Sequence, residues 1–314
     1  MLDPQELYTV DATVESALRL SPDEAGTGTG PVLVNALRGF VDAGHVGQIA
    51  LEHILDLGET TRLVTFDADQ LVDYRSKRPT IVFDTQRWTE YSGPSIAIDV
   101  ARDREGTTFL VLHGNEPDVQ WERFVEAVLS LVDRFRVSLT VGTYGIPMGI
   151  PHTRLLSATP HASRDELIPD ASPWFGRVTV PATAANLLEL RLAERGHDTV
   201  GYAVHVPHYL AQSTYPPAAL VALDKLESAT GLDLDLETLE EAATEARAEV
   251  VRQVAESPEI AEVVRGLEEQ YDAFTISAER QSLLADTAEI PTADEIGEEL
   301  ERFLAQQGPD GQSS

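Results

Sequence analysis

Val32-Leu33-Val34-Asn35-Ala36-Leu37-Arg38-Gly39-Phe40-Val41-Asp42-Ala43-Gly44-His45-Val46-Gly47 is the stretch that decides the fold. Val32 to Leu37 reads as a buried strand, and Gly44 to Leu57 as the helix that follows it after a glycine-bearing loop. A strand handed directly to a helix is the unit of α/β proteins, and its neighbours continue the pattern. Apolar runs at Arg62 to Phe66, Thr80 to Phe83, Ser95 to Val100 and Thr107 to Leu112, rich in Ile, Val, Phe and Thr, predict the other sheet strands. Trp121, Phe124, Val125, Val128, Leu129, Val132 and Phe135 recur at steps of three and four, which puts them on one face of a helix. Val137 to Val141 is a further strand, Ala182 to Arg195 a helix stopped by Gly196, and Thr199 to His205 a strand.

After Tyr215 the pattern becomes helix upon helix. Pro216 and Pro217 suit a first turn, and that helix runs to Gly231. Leu236, Leu239, Ala243, Ala246, Val250 and Val254 stripe the next, and Ser257 with Pro258 begins a third carrying Ile260, Val263, Val264, Leu267, Tyr271 and Phe274. Thr292 with Glu295 makes a capping box for a last helix striped by Ile296, Leu300, Phe303 and Leu304. The expected organisation is a flexible lead-in over 1–31, an α/β core over 32–214, an acidic all-helical extension over 215–307 and a disordered tail over 308–314.

Composition bounds the function. In 314 residues, 42% are hydrophobic and 24% charged, which excludes a wholly disordered chain. Asp and Glu number 53 against 23 Lys and Arg, a formal charge of -30, and 24 of those acids against 6 bases fall after Leu223. Such a surface repels phosphate backbones and anionic lipid, so neither nucleic acid nor a membrane is an expected partner. No apolar run is long enough for a membrane helix and no cationic start precedes one, so the chain is expected in the cytoplasm. The absence of cysteine removes disulfides, thiol nucleophiles and cysteine metal sites.

Three clusters carry side chains fit for chemistry. Between the first strand and helix lie Asp42 and His45. Asp42 is placed to cap the helix by accepting from the backbone near His45, or to border a crevice at the strand ends. Gly142-Thr143-Tyr144-Gly145-Ile146-Pro147-Met148-Gly149-Ile150-Pro151-His152-Thr153-Arg154 reads as a long shaped loop. Its last three side chains could meet an anion or pair with a carboxylate of the same chain. The third cluster holds His205, His208 and Tyr209. Pro207 breaks the helix that usually supports a His-x-x-His metal pair, so packed, hydrogen-bonded histidines are expected and no metal. Asp67, Asp69 and Asp73 lack the glycine and terminal glutamate of a calcium loop, and no serine elbow or zinc-protease helix occurs. Lys77 and Lys225 are the only lysines, thin equipment for nucleotide-dependent ligation, and no cofactor is expected.

The three clusters in this order, with Asp73-Tyr74-Arg75-Ser76 before Arg78-Pro79, resemble the PAC2 family, named for proteasome assembly chaperone 2, and most of all its actinobacterial-type members. The resemblance spans roughly Val32 to Ala219. It implies an α/β core sheet flanked by helices, similar to the phosphorylase/hydrolase-like fold, and a homo-oligomer. It also implies an assembly chaperone or adaptor with proteasome subunits as partners. Some relatives act through a C-terminal hydrophobic-Tyr-x tail, whereas this sequence ends Asp310-Gly311-Gln312-Ser313-Ser314, so proteasome contact is expected through another surface. The competing expectation is a hydrolase- or phosphorylase-type enzyme acting on a small anion where the strand-end loops converge. Asp42, His45, Tyr144, His152, Thr153, Arg154, His205, His208 and Tyr209 are the candidate ligand or partner residues under either expectation.

Overall fold

Strands whose neighbouring residues are buried on opposite faces must lie between two layers of helices, and this is how the computed structural model is built. It describes residues 2–20, 30–169, 171 and 176–285. The strands are β1 (Tyr8–Val10), β2 (Val32–Arg38), β3 (Thr61–Phe66), β4 (Thr80–Asp84), β5 (Arg87–Ser92), β6 (Ile96–Arg102), β7 (Thr108–Asn115), β8 (Leu139–Met148), β9 (Ala158–Ala162) and β10 (Thr199–Pro207). Eight form one sheet in the order β1-β3-β6-β7-β2-β8-β10-β9. The central run β7-β2-β8-β10 is parallel, and the outer pairs are antiparallel.

The helices are α1 (Ala12–Leu20), α2 (Val46–Asp56), α3 (Ala68–Leu71), α4 (Trp121–Phe135), α5 (Ala184–Glu194), α6 (Pro216–Thr230), α7 (Glu237–Glu256) and α8 (Pro258–Ala285). Leu33, Leu110 and Leu112 face the layer that contains the apolar stripe of α4 together with Leu188 and Leu192 of α5. Val34, Phe109 and Val111 face the opposite layer, where Ala50, Leu51 and Ile54 of α2 meet Ala219, Leu223 and Leu226 of α6. Helix α7 packs on α6 and α8 on α7, so the acidic helices build outward from the sheet. No helix among the described residues is long and apolar enough to cross a membrane.

Three local expectations are corrected. Thr80–Asp84 is not in the main sheet; it pairs with β5 in a separate two-stranded hairpin, because an apolar run of this length reads the same whether a core or nothing covers it. Gly142 to Met148 is strand rather than loop, held in register from Gly142 opposite Gly201 to Met148 opposite Pro207. Pairing with β2 ends at Gly142, so Pro147 sits where one side of β8 has no partner, which suits a residue without an N–H. Much of the expected lead-in is ordered, since β1 pairs with β3 and α1 packs Val14 and Leu18 on the core. The buried Arg123 guanidinium holds this segment by donating to the Asp3 carbonyl at 2.6 and 2.9 Å. The helix expected from Thr292, the tail and most of the glycine-rich Gly26 to Pro31 lie outside the described residues.

Leu7 tests whether this segment belongs to the core, because its side chain is 0% exposed. Leu7→Ala should cost about 2–5 kcal/mol in denaturant unfolding, as buried leucine truncations do. An unchanged midpoint would return the segment to a peripheral arm.

Candidate functional site

Strand β2 ends in the motif around Asp42, and the carboxylate there serves three backbone donors at once. Asp42 Oδ1 accepts from Gly47 N at 2.8 Å and from Gly145 N at 3.2 Å, and Oδ2 accepts from Gln48 N at 3.1 Å. The N-cap position of α2 is His45 and not Asp42 as expected, yet the Asp42 carboxylate still satisfies first-turn donors of that helix, two and three residues past His45. His45 itself takes a left-handed φ of 54° and donates its backbone N–H to the Asp42 carbonyl. Between them, Gly44 donates to the Ala211 carbonyl and accepts from Tyr215 N, tying the turn to the start of α6. The packing is close enough that a Cβ on Gly145 would lie 2.0 Å from the Ala43 carbonyl oxygen.

His152, Thr153, Arg154 and Tyr209 form one cluster, and its counterpart is α8. Tyr209 Oη accepts from His152 N at 2.8 Å and is hydrogen-bonded to His152 Nδ1 at 2.8 Å. Burial lowers the His152 pKa against the opposing pull of Glu268, and burial raises that of Tyr209. Arg154 grips Asp272 with two parallel bonds of 2.8 and 2.7 Å and approaches Glu268 at 3.5 Å; Thr153 bonds Glu268 as well. The guanidinium is thus paired by the chain's own carboxylates, and its pKa is raised by the hydrogen bonds to Asp272.

The remaining candidates stand apart. His205 is 0% exposed in β10, with Nδ1 3.0 Å from Ser157 Oγ and Nε2 2.8 Å from Thr159 Oγ1, while His208 is exposed and edge-on to Tyr209. The two histidines share no ligand, and among the described residues no three or more His, Asp or Glu side chains gather as a metal centre requires. Tyr144 is half-buried on β8, bonded to Asn186 of α5, and faces a different space: a crevice of about 490 Å³ between α5 and the sheet. His161 and Glu189 border that crevice, with His161 Nδ1 2.7 Å from Glu189 Oε1. Sequence reading passed over both residues. The available signal was a pair of glycines inside strands, Gly142 and Gly201, which marks close approach to a backbone.

These observations define a class: a three-layer α/β protein with a mixed sheet, parallel at its centre, whose strand-end motifs are bonded into the fold and whose C-terminal helices are pinned by a loop arginine. The chain belongs to the PAC2 family, whose model matches residues 36–254. Two solved proteins of unknown function are similar over nearly their whole length. Rv2714 of Mycobacterium tuberculosis is 44% identical, with a TM-score of 0.81 over 88% of this chain and 92% of that one. A Corynebacterium glutamicum protein is 37% identical, with a TM-score of 0.77 over 85% and 97%. The fold is also that of Rv2125, a proteasome-assembly chaperone homologue of Mycobacterium tuberculosis, at 24% identity and a TM-score of 0.69 over 74% of this chain and 99% of that one. Comparison with curated proteins finds no match.

His205 gives the site a pH signature. Burial pushes its imidazole down to about 4, below the unfolded value, so the neutral ring's contribution is complete above about pH 6.5 and is lost as pH falls through about 4. The linkage amounts to roughly 3 kcal/mol. In denaturant titrations, the stability gap between wild type and His205→Gln should narrow progressively from pH 7 to pH 4. Parallel curves would show that His205 does not titrate with unfolding.

Proposed function

We propose that the protein is a non-catalytic, cytoplasmic homo-oligomer that acts as an assembly chaperone or adaptor, with proteasome subunits as its partners. The observation that carries this reading is the β4–β5 hairpin. A two-stranded hairpin is marginal in water unless something packs on it. Here Ile81, Val82, Phe83, Trp88 and Tyr91 are all exposed, Phe83 at 58% and Trp88 at 66%, with those two rings 4.8 Å apart. An aromatic patch on a projecting element is the composition of a protein-docking surface, and burying it against another copy would stabilise both hairpins. Family membership supports the adaptor role, and the likeness to a proteasome-assembly chaperone homologue suggests the partner class. The competing reading, an enzyme for small anions, needs Arg154 and His152 available at the strand ends; both are engaged within the chain.

The paired substitution Phe83→Asp and Trp88→Glu tests the assembly. Light scattering should give a multiple of the chain mass for wild type and a smaller species for the variant, with unchanged circular dichroism. A monomeric wild type, or an assembly indifferent to both charges, would remove the hairpin from the account. Affinity purification from source-organism lysate should recover proteasome subunits in stoichiometric amount, and recovery of none would reject the partner class.

A further inference from the structure

The crevice beneath α5 has properties that neither the assembly role nor the loop clusters use. Its floor is a row across four strands on one face of the sheet. Asn35 of β2 lies in register with Gly142 of β8, Gly142 with Gly201 of β10, and Gly201 with His161 of β9. Two adjacent glycines leave a trough between the amide and the imidazole. The His161 ring lies over Gly201, where an added Cβ would come within 2.0 Å of it, whereas a Cβ on Gly142 would meet only Asn35, no nearer than 3.5 Å. One glycine admits the histidine; the other leaves space.

Polar atoms around this trough lack protein partners. Among the described residues, the buried side-chain atoms without a hydrogen bond are Asn35 Oδ1, Thr140 Oγ1, Thr143 Oγ1, His161 Nε2 and Thr199 Oγ1, and all five belong to residues that line the one crevice. Thr140 and Thr199 are register neighbours in the floor, 5% and 1% exposed. Thr143 alternates to the opposite face of β8 from Thr140 and Gly142, so four of these atoms share the crevice face. Buried polar atoms left unpaired are costly, and native interiors hold few of them, so four at one cavity call for a group that pairs with them. The rest of the wall is apolar, including Leu37, Ile146, Val180 and Pro181. Its volume falls in the range of small-molecule sites rather than that of a single water.

Charge narrows the ligand class. The described lining holds no Lys or Arg, and its one carboxylate, Glu189, is occupied by His161. A carboxylate only accepts, so Nδ1 of His161 carries the proton, and in the neutral ring Nε2 is an acceptor. We propose that this crevice is a binding site for a small, uncharged, largely apolar molecule carrying a hydroxyl or N–H that it donates to His161 Nε2, while its remaining polar atoms meet Asn35, Thr140 and Thr199.

Three bicyclic probes separate the contributions in titrations of the full chain: 2-naphthol, its methyl ether 2-methoxynaphthalene, and 2-naphthoate. Naphthol should bind once per chain and about tenfold tighter than the ether, the value of one hydrogen bond, and the anion should bind least. Gly142→Val places branched carbons in the trough and should weaken naphthol binding by about tenfold or more while unfolding stays cooperative. His161→Phe keeps a ring over Gly201 and should erase the preference for naphthol over the ether. No naphthol binding below about 1 mM, as for a crevice that holds water alone, would overturn the proposal. Equal binding to Gly142→Val, naphthoate as the tightest probe, or a naphthol preference that survives His161→Phe would overturn it too.

Discussion

One carboxylate sets the geometry on which the rest of the molecule depends. Asp42 joins the end of β2 to the start of α2 and to the middle of β8, through donors 5, 6 and 103 residues away in the chain. The turn it stabilises is bonded on its other side to Ala211 and Tyr215, so β2, β8, α2, α6 and the loop after β10 all meet there. The missing side chains of Gly44 and Gly145 permit the approach: φ at Gly44 is +69°, and a Cβ on Gly145 would collide with the Ala43 carbonyl. The most conspicuous polar motif of the sequence is thereby committed to architecture.

The same logic separates the molecule's two kinds of polar residue. His152, Thr153, Arg154, His205 and Tyr209 have their hydrogen bonds satisfied within the chain, by α8, by one another or by hydroxyls of the strand-end segments. Arg154 and Asp272 are both partly exposed, so their bidentate pair contributes less to global stability than to where α8 sits. Asn35, Thr140, Thr199 and His161 are the reverse: the atoms named above are buried and polar and have no protein partner, although Asn35 and His161 as whole residues are only half-buried. A desolvation cost that a fold maintains in one place invites a ligand there, whereas the satisfied loops hold elements together. Elsewhere a buried carboxylate is matched in the ordinary way. Burial pushes Asp99 up, but the hydrogen bonds from His113 and Arg62 outweigh it and hold its pKa low.

Sequence periodicity was enough for elements whose burial follows a single rule. The α4 stripe is legible because every third-to-fourth residue meets the core, and the strands β2, β3, β6 and β7 because their short apolar runs are buried between the two helix layers. It fails where the deciding contact is remote. The partners of Arg154 lie more than a hundred residues away on a helix whose acidic face reads as solvated. Nothing local marks Thr80 to Phe83 as a projection rather than a core strand, or Ala158 to Ala162 as an edge strand that pairs with β10. In the Gly142 to Met148 stretch, glycine and proline outweigh the apolar residues in any local reading, yet register with β10 holds it extended. The histidine of the crevice was hidden for the same reason, since its carboxylate and its glycine come from α5 and β10.

The central claim, that the Asp42 motif is structural, is tested most directly by the unfolding free energy of Asp42→Ala in denaturant. Removing an acceptor shared by three backbone donors should cost about 2–4 kcal/mol, with the loss visible as weakened amide-exchange protection at Gly47, Gln48 and Gly145 together. Stability and protection equal to wild type would contradict the account, and would return Asp42 to the set of residues free to act on a ligand.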